Sequence, residues 1–62
     1  MSAPTAELSS LSSSLDELVG RLGDLAERFA AAGRTDVAQE LYEVERTMAG
    51  GQRRLARVIA RR

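Results

Sequence analysis

Leu8, Leu11, Leu15, Leu18, Leu22, Leu25 and Phe29 follow one another at steps of 3, 4, 3, 4, 3 and 4 residues. An α-helix turns once in about 3.6 residues, so this spacing lines the seven side chains along one narrow apolar stripe, the seam of a heptad repeat. A strand does not fit it, because a period of two would send these side chains to both faces. A helix with such a stripe has to lay it against another helix. The first half of the chain therefore points to an all-α fold built by helix-on-helix packing.

A second stripe follows in Val37, Leu41, Val44, Met48, Gly51, Leu55 and Val58, spaced 4, 3, 4, 3, 4 and 3. Between the two stands Gly33, just after Ala30, Ala31 and Ala32, where a helix ends on a residue with positive φ. Thr35 or Asp36 is then expected to cap a second helix, with Asp36 and Gln39 closing a capping box. The pattern predicts a tail over residues 1–4, helix 1 over about 5–32, a turn over 33–35 and helix 2 over about 36–61. Pro4 suits the entry of helix 1. So short a connection makes the helices antiparallel neighbours. The expected unit is a single domain over 1–62, a coiled-coil-like two-helix hairpin.

Two stretches strain this expectation. Ser9, Ser10, Ser12, Ser13 and Ser14 lower helix propensity, because serine competes for backbone hydrogen bonds. Ser14 and Glu17 resemble a capping box, which would start the stable helix there, yet Leu8 and Leu11 keep the stripe in phase. Gly50 and Gly51 each cost about 1 kcal/mol in a helix interior relative to alanine. The phase continues across them, which favours one helix with at most a kink; a break would give three helices over 14–32, 36–49 and 52–62. Gly51 falls near the level of Leu18, a small residue against a large one.

A 62-residue chain buries only about 60% of its unfolded surface. It has no cysteine for disulfide bracing. Regular helix packing and oligomerisation are the remaining sources of stability. Val19 and Ala26 beside the first stripe, and Ala38, Ala49, Ala56 and Ile59 beside the second, broaden both to the width of bundle helices. Two hairpins are thus expected to close a homodimeric four-helix bundle, with Met48 as core filler. Phe29 is expected to plug the turn end against Val37 and Leu41, and Tyr42 to sit at an edge or at the dimer contact.

Catalytic and cofactor chemistry finds no foothold, and none is assigned. The absence of histidine removes the commonest general base and zinc ligand. Glu40 and Glu43 share a helical face that Asp24 and Glu27 could approach, but di-metal carboxylate bundles add a histidine on each of two helices. The serines lack a base, and Gly50-Gly51-Gln52-Arg53 lacks the phosphate-loop lysine and a preceding strand. The longest uncharged run, Leu8–Leu15, is mostly serine and too short to cross a membrane. A soluble, cytoplasmic protein is expected. All nine basic residues are arginine, which with abundant alanine and glycine suggests a GC-rich bacterial genome.

Net charge is zero but unevenly spread. Residues 1–45 hold all nine carboxylates against three arginines, while residues 46–62 hold six arginines and no acid. Arg53, Arg54, Arg57, Arg61 and Arg62 make the end of helix 2 a basic amphipathic segment, the one functional signal in the sequence. Three roles compete for it. Arg54 and Arg61 could flank the seam and pair with carboxylates of a neighbouring helix, within or between chains. The cluster could bind nucleic-acid phosphates, although Phe29 and Tyr42 are too few for a stacking platform. Or it could dock on an acidic protein groove or an anionic membrane surface. The expectation is a non-enzymatic interaction or regulatory module that self-associates and offers this segment to a protein partner, with nucleic-acid binding as the alternative.

Overall fold

A computed structural model describes residues 4–61. Two helices, α1 (Thr5–Ala31) and α2 (Thr35–Arg61), pack against each other as a hairpin, and 93% of the described residues are helical. The serine cluster does not delay α1, which runs unbroken from Thr5. Pro4 is its N-cap, and the Pro4 carbonyl accepts the Leu8 N–H at 3.0 Å. Ser14 therefore lies inside the helix and caps nothing. α2 likewise passes through Gly50 and Gly51 without interruption, so the three-helix alternative falls.

The turn is tighter at its far end than the capping pattern suggests. Gly33 adopts φ +84°, a left-handed conformation that a Cβ would disfavour. Its N–H donates to the Ala30 carbonyl at 3.1 Å, and the Arg34 N–H donates to the Phe29 carbonyl at 2.8 Å. This pair of bonds is a Schellman closure. α2 starts immediately afterwards, because the Arg34 carbonyl already accepts the Ala38 N–H at 3.0 Å. Thr35 and Asp36 thus occupy the first turn of α2 rather than its cap. Asp36 serves the helix start by charge, since a carboxylate in the first turn complements the positive helix end.

The helices do not meet along the regular leucine stripe. On α1, the seam runs through Leu8, Ser12, Leu15, Val19, Leu22, Ala26 and Phe29, all buried or half-buried, with Thr5 and Gly23 also half-buried. On α2 it runs through Ala38, Leu41, Glu45, Met48, Gln52, Leu55 and Ile59, with Val37 half-buried beside the turn and Ala49 and Gly50 half-buried as well. Every second member of each stripe has been replaced by its neighbour. Ser12, Val19 and Ala26 stand in the seam where Leu11, Leu18 and Leu25 were expected, and Glu45, Gln52 and Ile59 replace Val44, Gly51 and Val58. Both sets repeat at 3 and 4 residues, so periodicity alone does not separate them. The set in use holds the smaller side chains of α1, and small residues let two helix backbones approach closely. Among the described residues only Val19, Ala26 and Ala38 are buried outright, and no large side chain is fully enclosed.

The hairpin is a rod 52 × 15 × 11 Å, one helix thick. Its radius of gyration is 14.7 Å, against roughly 11 Å for a compact domain of this length. Both broad faces therefore lie open.

Candidate interaction surface

Two side-chain contacts set the register of the hairpin. The Gln52 amide donates to the Asp16 carboxylate. The Glu45 carboxylate lies over Gly23, where a Cβ would come within 3.2 Å of its oxygen. Asp16 is thus level with Gln52, and Gly23 with Glu45, and these four residues mark one long edge of the rod as polar. Tyr42, 41% exposed, belongs to this edge as well.

The displaced leucines lie on the opposite side. On α1, Leu11, Leu18 and Leu25 flank the Leu8–Leu15–Leu22–Phe29 row on the side away from Asp16 and Gly23. On α2, Val44, Gly51 and Val58 flank Leu41, Met48 and Leu55 on the side away from Glu45 and Gln52. Each row sits about 60° around its helix from the row it flanks, and antiparallel helices turn these rows toward the same broad face. The register sets Leu11, Leu18 and Leu25 level, to within one residue, with Val58, Gly51 and Val44. The result is three apolar layers, of which Leu11, Leu18, Leu25, Val44 and Val58 remain 40–60% exposed. A depression lined by Leu25, Arg28, Phe29 and Ala32 continues this face to the turn end. Gly51 leaves a gap in the middle layer: nothing lies within 4 Å of where its Cβ would be. Leu18 and Gly51 are level, as their spacing suggested, but they stand side by side on an open face.

The arginines of the second half of α2 point away from α1. Arg53, Arg54, Arg57 and Arg61 are all exposed. Among the described residues the single ion pair is Arg34–Asp36 at 3.3 Å, so α1 does not neutralise this segment within the hairpin. Arg62 falls outside the described residues. Arg57 points almost directly outward, whereas Arg54 and Arg61 border the Leu/Val face and Arg53 leans toward the polar edge.

The Asp36 carboxyl is held below the usual carboxylate range. The Arg34 guanidinium hydrogen-bonded to it is the main cause, helped by the Val37 backbone N–H. Its ionised form therefore favours the folded state above the ordinary carboxyl pKa, and that contribution fades as pH falls through the lowered folded value. Asp36→Asn should accordingly lower stability at pH 7 and leave it unchanged near pH 2. Paired urea titrations of the two proteins at both pH values test this; an equal loss at both would contradict it.

Among the described residues no group of three metal-ligating side chains comes together, and no helix is long and apolar enough to cross a membrane. Three shallow surface depressions near the turn end are lined by residues of α1 and its C-cap Ala32. What the hairpin presents is a layered apolar face and a basic flank. Comparison with family models, with curated proteins and with solved structures finds no match for this chain.

Proposed function

We propose that this hairpin is a non-enzymatic interaction module that self-associates into a homodimeric four-helix bundle and offers the basic flank of α2 to a regulatory partner. The observation that carries the first part is the uncovered Leu/Val face. Its five large side chains are 40–60% exposed, while only three small or medium residues are buried between the helices. Exposed apolar side chains contiguous over three layers mark an association surface rather than scattered surface leucines. The unpaired Arg53, Arg54, Arg57 and Arg61 support the second part, because guanidinium groups free of intrachain carboxylates remain available to an acidic protein surface.

The same freedom favours a second role, in which these arginines hold nucleic-acid phosphates. One series of measurements addresses both. Static light scattering over a concentration series should give roughly 13 kDa, twice the 6.7 kDa chain. The triple change Arg53→Ala, Arg54→Ala and Arg57→Ala should leave that mass intact. If the wild-type protein binds duplex DNA with a logarithmic salt slope of about −0.9 per phosphate contacted, and the triple change abolishes it, the nucleic-acid role stands. No DNA binding at low salt leaves the protein partner. Dissociation of the triple variant to single chains would make the arginines structural and overturn the partner role.

A further inference from the structure

We propose that the Leu/Val face is covered by a second copy of the chain in one orientation, with the turn of each hairpin lying over the open end of the other. This rests on the self-association put forward above and adds which face is used and how the copies are turned.

The face is complementary to itself about its middle. Its three layers, Leu11/Val58, Leu18/Gly51 and Leu25/Val44, are evenly spaced and nearly alike in content at the two ends. A half-turn about an axis crossing the middle layer sets Leu11/Val58 of one hairpin on Leu25/Val44 of the other. It also brings two Leu18 side chains together in the central layer beside two Gly51. The space that no atom occupies at Gly51 is then available to those leucines. All four helices run antiparallel to their neighbours, the arrangement of an up-down bundle.

Charge selects this orientation. The turn half of the hairpin, residues 19–49, carries six carboxylates and four arginines; the open half, described over 4–18 and 50–61, carries three carboxylates and four arginines. Turn over open end therefore joins net −2 to net +1. At the borders of the face, Glu7 meets Arg28 of the partner subunit and Glu40 meets Arg61 of the partner subunit. One row further out, Glu43 meets Arg57 of the partner subunit. The other twofold closure, turn over turn, keeps both border pairs in exchanged form, Glu7 with Arg61 of the partner subunit and Arg28 with Glu40 of the partner subunit, and loses the pairing of Glu43 with Arg57 of the partner subunit. It also sets Asp24 against Glu43 of the partner subunit, and like-charged ends against each other. The apolar layers supply affinity in either case, and the charges fix orientation.

The chain has no cysteine, so introduced thiols report the arrangement without background. In Glu7→Cys/Arg28→Cys the two positions sit on one helix about 31 Å apart, at 1.5 Å per residue, and a disulfide needs Cα atoms within about 7 Å. Any bond that forms must link two chains. Mild oxidation at micromolar concentration should convert most of this variant to a covalent dimer, while Glu7→Cys/Arg61→Cys gives less than a tenth as much. The reverse yields would overturn the orientation in favour of turn over turn. A 13 kDa species in light scattering with no covalent dimer from either variant would show that another face is used, which sinks this inference and leaves self-association standing. A 6.7 kDa species at every concentration would sink both.

Discussion

Leu18→Glu/Leu25→Glu is expected to leave each hairpin helical and to prevent the proposed dimer from forming. Within one hairpin these leucines are 49% and 40% exposed and stand outside the helix–helix seam. Glutamate has nearly the helix propensity of leucine, and exposed substitutions of this kind usually change stability by no more than about 0.5 kcal/mol. In the bundle, four such side chains lose their remaining exposure, each contributing about 1 kcal/mol. The four carboxylates that replace them would be driven out of water together. A loss of about 4 kcal/mol raises a dissociation constant roughly a thousandfold before that desolvation is counted. Light scattering should therefore report the 6.7 kDa chain at concentrations where the unmodified protein is expected to form the proposed dimer. The thermal midpoint should fall and cease to depend on concentration. An unchanged mass and midpoint would show that the Leu/Val face covers nothing.

Ala26→Asp should do the opposite, collapsing the hairpin itself. Ala26 is wholly buried, at 0% exposure. A charge placed there must either stay desolvated and unpaired or force the helices apart, at a cost of about 3 kcal/mol or more. For a hairpin with three buried residues this is enough to remove most of the far-ultraviolet helical signal. Leu25→Asp, one residue away, should retain that signal and weaken only the association. Denaturant titrations of the two variants side by side separate the alternatives. If Leu25→Asp unfolds the chain as thoroughly as Ala26→Asp, the helices pack along the regular leucine stripe after all.

Much of the fold was legible because it rests on local rules. Gly33 announced the reversal because a helix that ends on a left-handed residue needs glycine there, and the Phe29 and Ala30 carbonyls confirm how that end is closed. The length of both helices followed from apolar phase carried through the serines and across Gly50-Gly51. The start of α2 was misplaced by one residue. Capping preferences describe an isolated helix end, and here the preceding Schellman closure delivers the chain into helical conformation directly at Thr35. Asp36 was correctly singled out as belonging to the helix start, but it acts from the first turn, through its charge, Arg34 and the Val37 N–H, and not from the cap position.

The candidate surface was only half visible. Leu8, Leu15, Leu22, Phe29, Leu41, Met48 and Leu55 were legible as seam residues, and Val19, Ala26, Ala38 and Ile59 were recognised as widening the stripes. Which half of each widened stripe faces inward was not visible. Glu45 and Gln52 gave no sequence signal of being seam residues, since a polar residue reads as outward. Their places depend on partners across the hairpin: Glu45 needs the bare Gly23 backbone beneath it, and Gln52 needs the Asp16 carboxylate. A glycine at 23 and an acid at 16 are meaningful only once the register is known.

The residue order alone determined that this chain makes two helices of equal length joined at Gly33, because helical period and turn conformation depend on neighbours within a few positions. It also determined that the apolar surface exceeds what two helices can cover. Only the tertiary structure decided how that surface is divided, with Leu8, Leu15, Leu22 and Phe29 spent between the helices and Leu11, Leu18 and Leu25 left outside. The physical reason is that rotating a helix by less than one residue exchanges two equally periodic seams. The choice between them falls to the close approach that Val19, Ala26 and Ala38 permit.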